Sequence, residues 1–123
     1  VEDISVASIA AAKTAYETTG LRARLARHHA DVDSAFWGWN RIWLAPEFRD
    51  WNIEEFLPRI ACPVLAIQGA DDEYGTMAQM RRIGAHVAAV ELLELEGCRH
   101  SPHKDQPDAV VGAITRFVDR VTA

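Results

Sequence analysis

The chain has 123 residues, of which 49% are hydrophobic and 25% are charged, a composition typical of one globular domain. Its net charge is −5, and its longest basic run is the pair Arg81 and Arg82, so nothing favours binding to nucleic acid or to an anionic membrane. No apolar run approaches the roughly 18 residues of a membrane span, and the first residues do not resemble a signal peptide. Cys62 and Cys98 lie outside any Cys-x-x-Cys pair, which indicates free thiols and a cytoplasmic protein.

The first 58 residues carry apolar side chains at helical spacing. Ile9 and Tyr16 share one face of a first predicted helix, and a second helical segment follows Gly20. A third helix should end before Pro46, because proline cannot continue a helix. The predicted apolar stripe of this third helix consists of Val32, Phe36, Trp39 and Trp43.

The second part of the chain alternates strands and helices. The run from Pro63 to Gln68 is apolar on both faces, as in a parallel strand covered on each side by helices. Thr76 is the predicted N-cap of a helix, residues 90–95 read as a second strand, and a final helix begins near Pro107. Because two parallel strands require a long crossover, this order predicts an α/β fold with a β-α-β-α unit. The predicted buried stripe of the final helix consists of Val110, Ile114, Phe117 and Val121.

Two strands are too few to cover these apolar runs. A two-stranded parallel sheet leaves backbone groups and apolar faces exposed along both of its edges. We therefore expect either a second copy of the chain, forming a homodimer, or additional polypeptide to complete the sheet.

Both loops that follow the predicted strands contain catalytic residue types. Asp71 and Asp72 come shortly after Gly69, and His100 follows Gly97 after the second strand. Functional groups of doubly wound sheets collect just beyond the carboxyl ends of the strands. An acid after one strand and a histidine after the next can therefore be neighbours.

This order of elements resembles the closing section of the α/β-hydrolases: a strand, Gly-x-Asp-Asp, a helix, a strand, Gly-x-x-His and a final amphipathic helix. The resemblance covers essentially the whole chain. It implies that Asp72 is the acid and His100 the base of a Ser-Asp-His triad, with Asp71 as the competing acid. Arg99 stands where the family usually has glycine before its histidine. The resemblance further implies a helical cap in residues 1–58 and the C-terminal part of the catalytic domain in residues 59–123.

The activity implied by the resemblance is hydrolysis of a carboxylic ester or a related bond through an acyl-enzyme, without a cofactor. No Gly-x-Ser-x-Gly motif occurs in the chain, and none of its serines has that context. We therefore expect the nucleophile to belong to an N-terminal half outside these residues, and the chain alone to be inactive. A small ester-like substrate would bind only the complete protein, in which Trp39 and Trp43 are candidates for the walls of an apolar pocket.

Two other functions fit parts of the sequence. The first is a non-catalytic truncated or binding domain that dimerises through the edge of its sheet. The second is a metal-binding domain that uses Cys98, His100 and His103, with Asp72 as an oxygen ligand.

Overall fold

The chain folds into two units, Val1–Asn52 and Ile53–Ala123, in a computed structural model that describes residues 1–123. The first unit contains only helices, and the second contains a two-stranded parallel sheet with helices. None of the helices combines the length and the apolar character needed to cross a membrane.

Three α-helices build the first unit. They are α1 (Asp3–Thr18), α2 (Leu21–Leu25) and α3 (Val32–Leu44). Asp31 caps α3, since its Oδ1 accepts a hydrogen bond of 3.0 Å from the backbone N–H of Ser34. As expected, α3 ends before Pro46, which begins a short 3₁₀ turn.

The buried face of α3 differs from the predicted stripe. Val32, Phe36 and Asn40 are buried, whereas Trp39 is 38% exposed. The buried residues of α3 are therefore spaced four apart. After Phe36 the next buried residue is Asn40, whereas the predicted stripe continued with Trp39. Asn40 can be buried there because its side-chain amide donates a hydrogen bond of 3.0 Å to the carbonyl oxygen of Ile9 on α1.

A hydrogen-bonded cluster ties the three helices together. Tyr16 stacks on Phe36 in the core, and its hydroxyl donates to Asp33 Oδ1 over 2.6 Å. The guanidinium of Arg22 donates to the same carboxylate over 3.0 Å. The hydrogen bond from Arg22, followed by that from Tyr16, lowers the pKa of Asp33 to about 2. The ionised carboxylate of Asp33 on α3 thus accepts hydrogen bonds from both α1 and α2, and it links the three helices at the edge of the core.

The second unit has the predicted order of strands and helices. Strands β1 (Val64–Gly69) and β2 (Val90–Leu95) pair in parallel, from Val64 opposite Val90 to Gly69 opposite Leu95. The crossover between them contains α4 (Met77–His86), whose N-cap Thr76 accepts a hydrogen bond from the N–H of Ala78. Two helices follow β2, namely α5 (Pro102–Asp105) and α6 (Pro107–Thr122). The chain therefore has a mixed α/β fold, as the sequence predicted.

Helices cover both faces of the sheet. On one face, Ile67 and Leu93 pack against the buried cluster of Leu95, Cys98 and Val110, which connects the sheet to α6. On the other face, Leu92 lies so close to Gly84 of α4 that a Cβ there would come within 2.8 Å of a Leu92 methyl carbon. This arrangement explains why both faces of β1 are apolar.

The predicted buried stripe of α6 is only partly correct. Val110 is buried, but Ile114 and Val121 are 45% and 44% exposed. The structure buries Ala113 instead, on the narrow face that meets the sheet. Because α6 is apolar around much of its circumference and the sheet has only two strands, most of that apolar surface has nothing to pack against within the chain.

Candidate active site

The loops after β1 and β2 are joined to each other by backbone hydrogen bonds. The N–H of Ala70 donates to the carbonyl oxygen of Leu95, and the N–H of Asp71 donates to that of Cys98, each over 2.9 Å. Gly69 permits this contact, because a Cβ at that position would lie 2.1 Å from the Cys98 carbonyl oxygen. The close approach of the two loops fixes the positions of the side chains that follow.

Asp72 and His100 meet at this junction. The Nδ1 atom of His100 lies 2.9 Å from Asp72 Oδ1 and 3.1 Å from Oδ2. The Asp72 side chain is only 11% exposed, and its Oδ1 also accepts a hydrogen bond of 2.8 Å from the N–H of Tyr74. Asp71 is exposed and takes no part in the pair. The side chains of Asp72 and His100 are therefore in direct contact, and Asp71 is outside this contact. The catalytic role of the pair stays a prediction.

The contact sets the tautomer of the histidine. An ionised carboxylate can only accept hydrogen bonds, so Nδ1 of His100 must carry the proton. In the neutral form of the ring, Nε2 then has a free lone pair, and the His100 side chain is 56% exposed. Geometry of this kind leaves Nε2 of the neutral ring available to accept a hydrogen bond.

The ring of Tyr74 lies beside that of His100. Its ring centroid lies 4.6 Å from that of His100, with the rings tilted by 52°. Burial raises the pKa of Tyr74 above its ordinary value of 10.0, and the charges of Glu73 and Asp72 raise this pKa further. The phenol is therefore protonated at neutral pH and offers a neutral wall beside the imidazole.

The backbone of the histidine loop is anchored by side chains from α5 and from the first loop. The N–H of Arg99 donates to Asp105 Oδ2 over 2.8 Å. The carboxylate of Glu73 accepts from the N–H of His100 over 3.4 Å and lies 3.6 Å from the Arg99 guanidinium. No residue other than glycine has a positive φ, so Arg99 fits this loop without strain in place of the glycine usual in the α/β-hydrolases.

Sequence reasoning missed two supporting glutamines. Gln106 donates from Nε2 to the carbonyl oxygen of Glu96 over 2.7 Å, and Gln68 donates from Nε2 to that of Gly75 over the same distance. A signal for Gln68 was present, because it is the one polar residue in the apolar run of β1. No comparable signal in the sequence marks Gln106, apart from its position before Pro107.

Trp39 and Trp43 belong to the first unit. Trp39 lies edge-on to Phe36 with centroids 5.7 Å apart, and Trp43 lies edge-on to Phe48 at 5.3 Å. Trp39 thus packs against a residue of its own helix, α3, and Trp43 packs against the 3₁₀ turn that follows α3. Their role in substrate binding stays a prediction.

The residues of the metal-binding alternative do not form a metal site. No group of three or more His, Cys, Asp or Glu side chains is arranged to hold a metal ion. Cys98 is fully buried in the core beside Leu95, and burial raises the pKa of its thiol. His103 lies on the exposed surface of α5. Both cysteines are free.

Comparison with known proteins identifies solved structures whose fold is similar to that of this chain. No protein-family model and no curated protein matches the chain. A bacterial membrane phospholipase A described as a virulence factor superposes on 72% of the chain with 24% identity and a TM-score of 0.61, over 28% of its own length. A serine hydrolase involved in carbazole degradation, the CarC enzyme, superposes on 73% with 16% identity and a TM-score of 0.62, over 35% of its own length. The chain thus spans about a third of the length of the solved structures that it matches, and its α/β fold is similar to theirs.

Proposed function

We propose that this chain is the acid and histidine section of an α/β-hydrolase that cleaves carboxylic esters. The observation that carries the proposal is the 2.9 Å contact between His100 Nδ1 and Asp72 at the carboxyl ends of two adjacent parallel strands. The fold similarity to a phospholipase and to a serine hydrolase supports it.

The proposed reaction uses the free Nε2 atom of His100. A serine hydroxyl attacks the ester carbonyl carbon and gives its proton to Nε2, and the Asp72 carboxylate stabilises the imidazolium that forms. The imidazolium then returns that proton to the departing alkoxide, which leaves as an alcohol and an acyl-enzyme remains. In the second half of the reaction, Nε2 accepts a proton from water as the water oxygen attacks the acyl carbon. The bond between that carbon and the serine oxygen then breaks, and the imidazolium gives its proton to the serine oxygen, which releases the carboxylic acid and restores the serine and the neutral histidine.

In this proposal the serine and the oxyanion hole are supplied by polypeptide outside residues 1–123. The chain contains four serines, and none lies in a Gly-x-Ser-x-Gly sequence. Without a nucleophile or donors for the oxyanion, an acid and histidine pair cannot complete the reaction, so the isolated chain should be inactive. The two free cysteines support a cytoplasmic location for the protein.

The same polypeptide would complete the sheet. Each strand of the two-stranded sheet has one edge without a neighbouring strand, and α6 exposes a row of apolar side chains. That row consists of Val111, Ile114, Val118 and Val121. We propose that the rest of the catalytic domain covers these surfaces, and that in the isolated chain a second copy does so.

Hydrolysis of p-nitrophenyl acetate by the full-length protein tests the proposal. His100→Ala or Asp72→Asn should lower kcat by at least about 10³-fold, because each removes part of the proton-transfer unit. His103→Ala is the matched control, since this exposed histidine lies on α5 outside the pair, and it should leave kcat unchanged. Turnover by the 123-residue chain that survives His100→Ala would contradict the proposal.

A further inference from the structure

The position of the His100 imidazole depends on more than its contact with Asp72. The backbone here is held, because the N–H of His100 donates to the Glu73 carboxylate over 3.4 Å and that of Arg99 donates to Asp105 Oδ2 over 2.8 Å. The imidazole can still turn about its side-chain bonds, since 56% of the side chain is exposed. The contacts of the ring therefore decide whether Nδ1 stays on the carboxylate.

Tyr74 contacts both members of the pair. Its backbone N–H donates to Asp72 Oδ1 over 2.8 Å, and the centroid of its ring lies 4.6 Å from that of the His100 imidazole. Favourable contacts between aromatic rings have centroids about 4.5–7 Å apart. One residue thus restrains the carboxylate through its backbone and the imidazole through its side chain.

The segment that carries the Tyr74 ring is itself tied to the histidine loop. The preceding residue, Glu73, accepts from the N–H of His100 and lies 3.6 Å from the Arg99 guanidinium. The Tyr74 side chain is half-buried, and burial raises the pKa of its phenol. The ring is therefore already ordered beside the imidazole, so the contact between them costs little additional conformational entropy.

We propose that Tyr74 is a positioning residue for His100, and that its ring keeps Nδ1 of the imidazole on Asp72. Without this ring, the imidazole is free to rotate about its Cβ–Cγ bond, which takes Nδ1 off the carboxylate and displaces Nε2 as well. The consequence for turnover rests on the hydrolase function proposed above, because a displaced Nε2 is misaligned with the serine. The role belongs to the ring of Tyr74 and does not need its hydroxyl.

The expected effect is smaller than that of removing the histidine. Water competes for both nitrogen atoms of an imidazole that is more than half exposed, so its orientation is held by a small free energy. The loss of one aromatic pair changes such an equilibrium by about 2- to 10-fold.

Kinetics of the full-length protein with p-nitrophenyl acetate provide the first arm of the test. Tyr74→Ala should lower kcat about 2- to 10-fold and change KM by less than about 2-fold, because the ring acts on the base and not on the substrate. Tyr74→Phe keeps the ring and should recover the lost activity. Phe56→Ala is the matched control, since it removes an exposed ring from the 3₁₀ helix Glu54–Arg59, outside both loops, and should leave kcat unchanged.

The second arm is ¹⁵N NMR of the histidine side chains of the same variants. In Tyr74→Ala the share of His100 with its proton on Nδ1 should fall and the share with the proton on Nε2 should rise, because fewer rings face Asp72. Tyr74→Phe should restore the original spectrum. A general loss of stability does not change the tautomer within the folded population, and this readout needs no turnover.

Three results would overturn the inference. The first is an unchanged tautomer and an unchanged kcat in Tyr74→Ala. The second is a raised KM at constant kcat, which would show that Tyr74 binds substrate instead. The third is an equal loss in Tyr74→Phe and Tyr74→Ala, which would assign the role to the hydroxyl. Full activity in His100→Ala would refute the hydrolase proposal, whereas the NMR arm would still test whether Tyr74 positions the imidazole.

Discussion

At the scale of single residues, the Asp72 carboxylate is held from two sides. The Tyr74 N–H donates to Oδ1, and both oxygens lie within 3.1 Å of His100 Nδ1. The sequence alone could predict that an acid and a histidine follow adjacent strands. It could not choose between Asp71 and Asp72 without the family resemblance, because the choice depends on how the turn after Gly69 orients each side chain.

The tautomer of His100 is the first prediction at this scale. At neutral pH, ¹⁵N NMR of the chain should show the proton on Nδ1 and a free Nε2, since the carboxylate accepts from Nδ1. Asp72→Asn should shift the population toward the Nε2–H tautomer, because the amide can donate to Nδ1. Asp71→Asn removes the same charge one residue away and should leave the tautomer unchanged. An Nε2–H tautomer in the unsubstituted chain would show that Asp72 does not accept a hydrogen bond from Nδ1 of His100.

At the scale of secondary structure, the close approach of β1 to the histidine loop depends on Gly69. A Cβ there would lie 2.1 Å from the Cys98 carbonyl oxygen and 2.5 Å from that of Arg99, and both are backbone atoms that cannot rotate away. The side chain of Asp72 and that of His100 are carried by the two segments that meet at this glycine. Any residue larger than glycine should therefore separate the pair.

Gly69→Ala tests this point. We expect it to lower the free energy of unfolding by about 2–3 kcal/mol, because an added methyl group must displace backbone, and to weaken the contact between Asp72 and His100. Gly38→Ala is the matched control, since it lies within α3 and no atom comes within 4 Å of an added Cβ. It should stabilise the chain by about 0.5–1 kcal/mol through its better helix propensity. Chemical denaturation of both variants measures the difference, and a neutral Gly69→Ala would refute the close contact.

The boundaries of the elements were predictable where local chemistry sets them. Thr76 caps α4, Pro46 prevents α3 from continuing, and β2 runs over residues 90–95 as its apolar pattern indicated. The buried faces were not predictable in the same way. Trp39 on α3 and Ile114 on α6 are exposed because burial depends on the width of the surface that each helix meets, which no local pattern contains.

At the scale of the whole molecule, the chain has more apolar surface than it can cover. One sheet of two strands has a helix on each face, and much of the apolar surface of α6 has no neighbour within the chain. The solved hydrolases that it resembles extend well beyond the matched region, since the chain spans 28% and 35% of their lengths. The exposure of the His100 side chain is compatible with this picture, because in our proposal the nucleophile would come from the same additional polypeptide.

The most direct test of the hydrolase proposal is covalent labelling of the full-length protein with an alkyl fluorophosphonate. An activated serine oxygen attacks the phosphorus and displaces fluoride, which leaves a phosphonyl group that mass spectrometry can locate. The account predicts one labelled serine outside residues 1–123 and at least about 10³-fold slower labelling in His100→Ala, because the serine then loses its base. Failure to label any serine, or labelling at an unchanged rate in His100→Ala, would contradict the claim that Asp72 and His100 belong to a catalytic triad.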